Sequence, residues 1–201
     1  MAVNPPNALS FLRIFAVPVF IWMMLERHES WALWIFIAAG VTDALDGYIA
    51  KRFNMQTVLG SYLDPIADKL LLVSGFITLT VVNGMPLWLT LLVVTRDLVI
   101  IGGAVVFHLM TSRLEMDPLW ISKLNTATQI VLLTAALVRD TFQMGHGLVE
   151  GLIWVTAATT VTSGLWYVIE WSQRLTPAME AQAHDALPPG EEPRDSARKP
   201  S

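Results

Sequence analysis

Asp43-Ala-Leu-Asp46-Gly47-Tyr-Ile-Ala50-Lys51, then eight residues, then Gly60-Ser-Tyr-Leu-Asp64-Pro-Ile-Ala-Asp68, is the stretch on which the reading of this chain turns. Asp43 and Asp46 are spaced i, i+3, so on a helix they share a face. Gly47 and Ala50 fall at +4 and +7 from Asp43 and keep that face free of bulk. Gly60, Asp64 and Asp68 are spaced i, i+4, i+8 and make a second face of the same kind. A short connection between the two helices makes them antiparallel neighbours, with their carboxylate faces expected to meet near one membrane surface.

The surroundings of this stretch are apolar. Of 201 residues, 54% are hydrophobic and 15% charged, against about 25% charged in a soluble domain. Six apolar runs are long enough for about 30 Å of hydrocarbon, at Leu9–Leu25, Trp31–Ala50, Gly60–Val82, Pro86–Met110, Leu119–Val138 and Gly147–Trp171. They are too continuous for the alternation of a barrel. The expected fold is therefore all-α, a polytopic membrane protein with six transmembrane helices. Residues 1–171 are expected to form the six-helix transmembrane domain and 172–201 a tail, a short helical extension and then disorder.

Basic residues near the span ends set the orientation. Lys51, Arg52, Arg113, Lys123 and Arg174 lie on one side and Arg27 and Arg139 on the other. Both termini and the carboxylate site should thus face the cytoplasm, across a bacterial inner (cell) membrane. Met1–Pro6 carries no basic residue and reads as a mature start, not a signal or transit peptide. The chain has no cysteine, which excludes disulfides, thiol catalysis and Cys-ligated zinc. The net charge of −4 owes much to acid in the tail, and no nucleic-acid partner is expected.

Besides Glu150 and Glu170 near the two ends of the last span, nine charged residues fall inside the spans: Arg13, Asp43, Asp46, Asp64, Asp68, Lys69, Arg96, Asp97 and Lys123. Each costs about 2.5–3.5 kcal/mol at a helix centre on insertion scales. Arg13, Lys69 and Lys123, taken singly, read equally well as snorkelling or paired structural charges. Four aspartates on two facing helices do not. Their repulsion calls for a divalent cation, or two, and all-oxygen ligation suits Mg²⁺, Mn²⁺ or Ca²⁺. Carboxylate-held metal at a lipid–water boundary fits phosphoryl transfer, with one carboxylate taking a proton from an attacking hydroxyl.

The same residues resemble the CDP-alcohol phosphatidyltransferase signature, D-x-x-D-G-x-x-A-R, about eight residues, then G-x-x-x-D-x-x-x-D. Seven of its eight fixed positions match across 26 residues. The resemblance implies a six-helix membrane enzyme, the CDP-alcohol phosphotransferase fold, and a CDP-diacylglycerol donor with release of CMP. It implies that Asp43, Asp46, Asp64 and Asp68 bind two Mg²⁺ or Mn²⁺ ions and that Asp68 is also the general base. Gly47, Ala50 and Gly60 would make room for the CDP moiety. Lys51 stands where the family has Arg; it keeps the charge and loses the bidentate fork.

The resemblance extends to the acceptor. Asn4-Pro-Pro-Asn-Ala-Leu-Ser10 with Arg13 and Pro18 looks like the start of cardiolipin and phosphatidylglycerophosphate synthases. Arg96-Asp97 and Ile121-Ser-Lys123-Leu-Asn125-Thr126 look like the CMP-forming cardiolipin synthases. The phosphatidylglycerophosphate synthases typically show Arg-Glu and Gly-Lys-x-Lys-Thr. Glycerol-3-phosphate, a dianion, favours clustered cations, and Asn125 stands at that group's second Lys. Phosphatidylglycerol is thus the favoured acceptor and glycerol-3-phosphate the alternative. Arg96, Arg113, Lys123 and Asn125 are the candidate acceptor contacts.

Two other classes of membrane protein also use carboxylates within their spans. A transporter using intramembrane carboxylates places them near the midplane of repeated halves, and no repeat is visible here. Membrane prenyltransferases carry N-D-x-x-D-x-x-x-D on a longer chain. His28, His108 and His146 lack ligand spacing. The tryptophans, among them Trp31, Trp34, Trp120, Trp166 and Trp171, read as interfacial anchors. Gly102-Gly103 and Ser163-Gly164 read as helix-packing sites, candidates for a homodimer contact.

Overall fold

The structure is a computed structural model. It describes the backbone of residues 5–53, 58–111, 120–145 and 147–185, and the side chains of 11–43, 45, 66–82, 84–103, 120–145 and 147–170. Six helices make up the described chain: α1 (Pro5–Leu25), α2 (Glu29–Phe53), α3 (Val58–Asn83), α4 (Leu87–Thr111), α5 (Trp120–Phe142) and α6 (Gly147–Asp185). The fold is all-α, and the six helices fall where the six apolar runs lie. α6 continues past Trp171 to Asp185, so the helical extension covers the first part of the expected tail; residues 186–201 lie outside the described residues.

Helix ends on one side of the bundle are closed by tight turns. After α1, Arg27 takes a left-handed conformation at φ 61°, and the His28 amide donates to the Met23 carbonyl at 2.8 Å. After α3, Gly84 does so at φ 72°, and after α5, Gln143 at φ 52°. Each returns otherwise orphaned carbonyls of the last turn to a hydrogen bond. These are the breaker segments visible in the sequence, and they make α1–α2, α3–α4 and α5–α6 hairpins.

The pairings are α1 with α2 and α3, α5 with α2, α3 and α6, and α4 with α3 and α6. α2 and α3 are not among the substantial pairings of the described residues, and α1 packs against both. The buried apolar cluster gathers toward the tight-turn end, around Phe20, Met24, Leu33, Phe36, Phe76, Leu79, Leu89, Leu133 and Leu137. Gly75 lets α3 and α5 approach: a Cβ there would stand 3.1 Å from Leu133 Cδ1.

The outside of the bundle is apolar too. Phe15, Trp22, Trp34, Val81, Leu98, Leu148, Trp154 and Trp166, drawn from five helices, are all exposed, far more than a water-facing monomer usually shows. By length and composition, Trp120–Phe142 and Gly147–Glu170 are each long and apolar enough to cross a membrane. Many helix hydroxyls are satisfied internally, as an apolar medium favours. Thr78, Thr80, Thr134 and Thr162 each donate to a carbonyl one turn back, and the Thr80 and Thr90 hydroxyls meet across α3 and α4 at 2.7 Å.

Candidate active site

Asp43 lies ten residues before the end of α2 at Phe53, and Asp68 ten residues after the start of α3 at Val58. Equal offsets from one connection bring residues of an antiparallel pair to the same level, here about 15 Å along each axis from the connection. Both helices are continuous through the signature, so positions 43 and 46 share a face, as do 60, 64 and 68. The side chains of Asp46, Gly47, Ala50, Lys51, Gly60 and Asp64 lie outside the described residues, as does Arg113.

The two described carboxylates converge on one cation that the sequence reading had not assigned to them. Arg13 of α1 reaches Asp43 Oδ1 through Nη2 at 2.7 Å and Asp68 Oδ1 through Nη1 at 2.6 Å. Arg13 is 2% exposed, whereas the Asp43 and Asp68 side chains are 40% and 43% exposed. The cation is thus inside and the carboxylates at the rim. α1 enters between α2 and α3 so that its one in-span charge meets theirs. An unpaired Arg in the first span was the signal for such a partner, but its mate could not be read from one helix.

A cavity of about 360 Å³ opens beside this group. Arg13, Asp43 and Asp68 form its polar end. Phe36, Ile37 and Val41 of α2, Leu71 and Leu72 of α3, and Ile130 of α5 line the rest. Thr126 and Thr134 add two hydroxyls along α5. From the carboxylates the cavity follows α2 back over two turns and runs beside α5, so it leads from charge into hydrocarbon-like surroundings.

A second polar assembly joins α3, α4, α5 and α6. Lys69, next to Asp68, donates to both Asp97 oxygens, at 2.7 and 2.6 Å. Arg96 donates to Asp97 at 2.9 Å, to Ser122 at 2.8 Å and to Ser163 at 2.5 Å, and its guanidinium lies 5.9 Å from the Tyr167 ring centre. One turn along α5, Asn125 Oδ1 accepts from Thr159 at 3.0 Å and Thr160 at 2.8 Å. Ser122 and Asn125 on α5, and Thr160 and Ser163 on α6, therefore form a polar seam at helical spacing.

This placement separates the candidate acceptor residues. Arg96 and Asn125 are buried in the seam, and neither lines the cavity. Lys123 is exposed, its ammonium 5.8 Å from the Trp120 ring centre, within cation–π range. Ser122, Ser163, Thr159, Thr160 and Thr126 belong to the site's framework; Ser122 and Thr126 stand in the Ile121–Thr126 segment and Ser163 in a helix-packing pair, while Thr159 and Thr160 carried no signal in the sequence, since single hydroxyls in apolar helices are common.

Residues 3–162 match the family described as CDP-alcohol phosphatidyltransferase. Among curated proteins, the CMP-forming cardiolipin synthase of Rattus norvegicus is 37% identical over 179 residues, covering 81% of this chain and 59% of that protein. The chloroplastic CDP-diacylglycerol–glycerol-3-phosphate 3-phosphatidyltransferase 1 of Oryza sativa is 33% identical over 189 residues, covering 85% and 57%. The enzyme of the latter activity from Cereibacter sphaeroides is 32% identical over 167 residues, covering 79% and 75%. The chain thus spans less than two thirds of the rat and rice relatives.

Proposed function

We propose that this chain, which belongs to the CDP-alcohol phosphatidyltransferase family, transfers a phosphatidyl group from CDP-diacylglycerol to an alcohol and releases CMP. The observation that carries this reading is the convergence of Asp43 and Asp68 on one positive group at the mouth of an apolar cavity. Carboxylate oxygens that already converge on one cation are a donor set suited to a hard divalent ion. Asp43 and Asp68, with Asp46 and Asp64 on the same two helices, would hold Mg²⁺ or Mn²⁺, two ions in all. Such an ion supplies charge neutralisation at the diphosphate of the donor.

The chain's own groups do the rest. Asp68, at the rim, takes the proton of the acceptor hydroxyl. The hydroxyl oxygen forms a bond to the phosphatidyl phosphorus as the bond to CMP breaks. Gly47, Ala50 and Gly60 would leave space for the cytidine diphosphate, and Lys51 would supply a charge for its phosphates. The apolar cavity takes hydrocarbon, and its walls keep water from the reacting phosphorus.

Phosphatidylglycerol, giving cardiolipin, is the proposed acceptor. A cavity that leads from the carboxylates into apolar walls supports a lipid acceptor. Glycerol-3-phosphate is the second reading, favoured by the names of the rice and Cereibacter relatives. Lys123 and Arg113 are the proposed contacts to the acceptor phosphate, while Arg96 and Asn125 act by holding α4, α5 and α6 in place. The setting is six spans of a bacterial cell membrane with the carboxylates toward the cytoplasm, supported by the apolar exterior of the helices.

Purified protein in detergent, given labelled CDP-diacylglycerol, Mn²⁺ or Mg²⁺ and each acceptor in turn, tests this. Cardiolipin and CMP formed from phosphatidylglycerol are the expected products. Phosphatidylglycerophosphate formed instead selects the second reading, and no metal-dependent CMP release with either acceptor removes both.

A further inference from the structure

Arg13 stands in an unusual relation to the site. Its guanidinium is the buried partner and the carboxylates are the exposed ones. It touches one oxygen of each aspartate from two different helices, which is where a bridging cation would also sit. Among the described residues its ion-pair partners are these two carboxylates, and its buried Nε has no hydrogen-bond partner.

We infer that Arg13 is a built-in counter-ion that occupies the place of a divalent cation between Asp43 and Asp68 and is displaced from them when the metal binds. This rests on the metal reading of the site given above. The physical reasons are two. Without metal, clustered carboxylates repel, and Arg13 neutralises them so that the helices stay together. With metal, one carboxylate oxygen cannot serve a guanidinium and a hard cation equally, and the two positive groups repel each other. The released guanidinium has somewhere to go, because Arg13 already lines the cavity in which a phosphate-bearing ligand would lie. There a phosphate restores the pairing that a buried arginine needs.

The competition can be read without turnover. Mn²⁺ is titrated by calorimetry into the full chain in detergent, as wild type, Arg13→Gln and Arg13→Lys, and the melting temperature of each is followed with and without Mn²⁺. Arg13→Gln should bind Mn²⁺ roughly tenfold more tightly than wild type, the scale expected for removing one partly screened charge beside a divalent ion. It should also gain more melting temperature from Mn²⁺ than wild type does, and Arg13→Lys should lie between the two. Equal or weaker Mn²⁺ binding by Arg13→Gln overturns the inference and makes Arg13 an orienting partner of the carboxylates. An Arg13→Gln protein that stays unfolded even in saturating Mn²⁺ also overturns it, since metal would then not replace the arginine. If neither wild type nor Arg13→Gln binds Mn²⁺, the metal reading itself fails, and that result is distinct from equal binding by both.

Discussion

Lys69 and Asp97 form a two-oxygen ion pair between α3 and α4, with the Lys69 ammonium 2.7 and 2.6 Å from the carboxylate oxygens. Lys69 is the neighbour of Asp68 in sequence, so this pair ties the rim carboxylate to the α4–α6 seam. Asp97 also receives Arg96, and its side chain is 5% exposed. Replacing it with a neutral group leaves two cations facing each other. Breaking such a pair costs about 3–5 kcal/mol when fully buried, and the partial exposure of Lys69 moves the expected loss to the lower end. Asp97→Asn should show this by unfolding in detergent, and Lys69→Met added to it should restore part of the loss. Additive losses in the double mutant would remove the pairing argument.

Asp68 and Asp43 should separate chemistry from stability. An Asn at either position still offers Arg13 a carbonyl oxygen, so the melting temperature should change little. Loss of the proposed general base at Asp68 should lower CMP release by about 10²–10⁴-fold. Full activity in Asp68→Asn would exclude that role.

Asn125 accepts two interhelical hydrogen bonds, and such bonds average about 0.6 kcal/mol each and reach about 1.7 in a membrane protein. Asn125→Leu should therefore cost about 1–3 kcal/mol while leaving the ratio of phosphatidylglycerol to glycerol-3-phosphate use unchanged. A shifted ratio at unchanged stability would make Asn125 an acceptor contact instead.

Gly75 is a close-approach position. Its Cβ would press on Leu133 Cδ1 at 3.1 Å, the far end of a side chain that can yield slightly. Helix propensity favours Ala over Gly by about 1 kcal/mol. The two effects nearly cancel in Gly75→Ala, whose unfolding midpoint should move little. Gly75→Leu forces α3 and α5 apart and should cost about 1–3 kcal/mol.

The absence of cysteine makes topology directly measurable. Single cysteines at Glu26 and Gly145, in the tight connections, should react with an impermeant maleimide from outside intact cells. A cysteine at Arg52 should react only after the membrane is opened. Reversed labelling would invert the orientation, and labelling of all three from outside would remove the six-span reading.

The helix count, the breakers between helices and the pairing of carboxylates by helical spacing were legible in the chain alone. They depend on apolar run length and on residues three or four apart, which are local quantities. The continuous helices through Asp43–Asp46 and Gly60–Asp64–Asp68 follow from the same periodicity. What meets those faces was decided only in three dimensions. The sequence suggested that the carboxylate faces of α2 and α3 meet; among the described residues α1 packs against both helices and brings Arg13 to Asp43 and Asp68. Likewise Arg96 and Asn125 looked like acceptor contacts, and packing turns them into a seam with Ser122, Ser163, Thr159 and Thr160. A charge in an apolar helix announces that it needs a partner, because burying it alone is too costly. Which partner it finds depends on helices far away in sequence, and only their packing determines that.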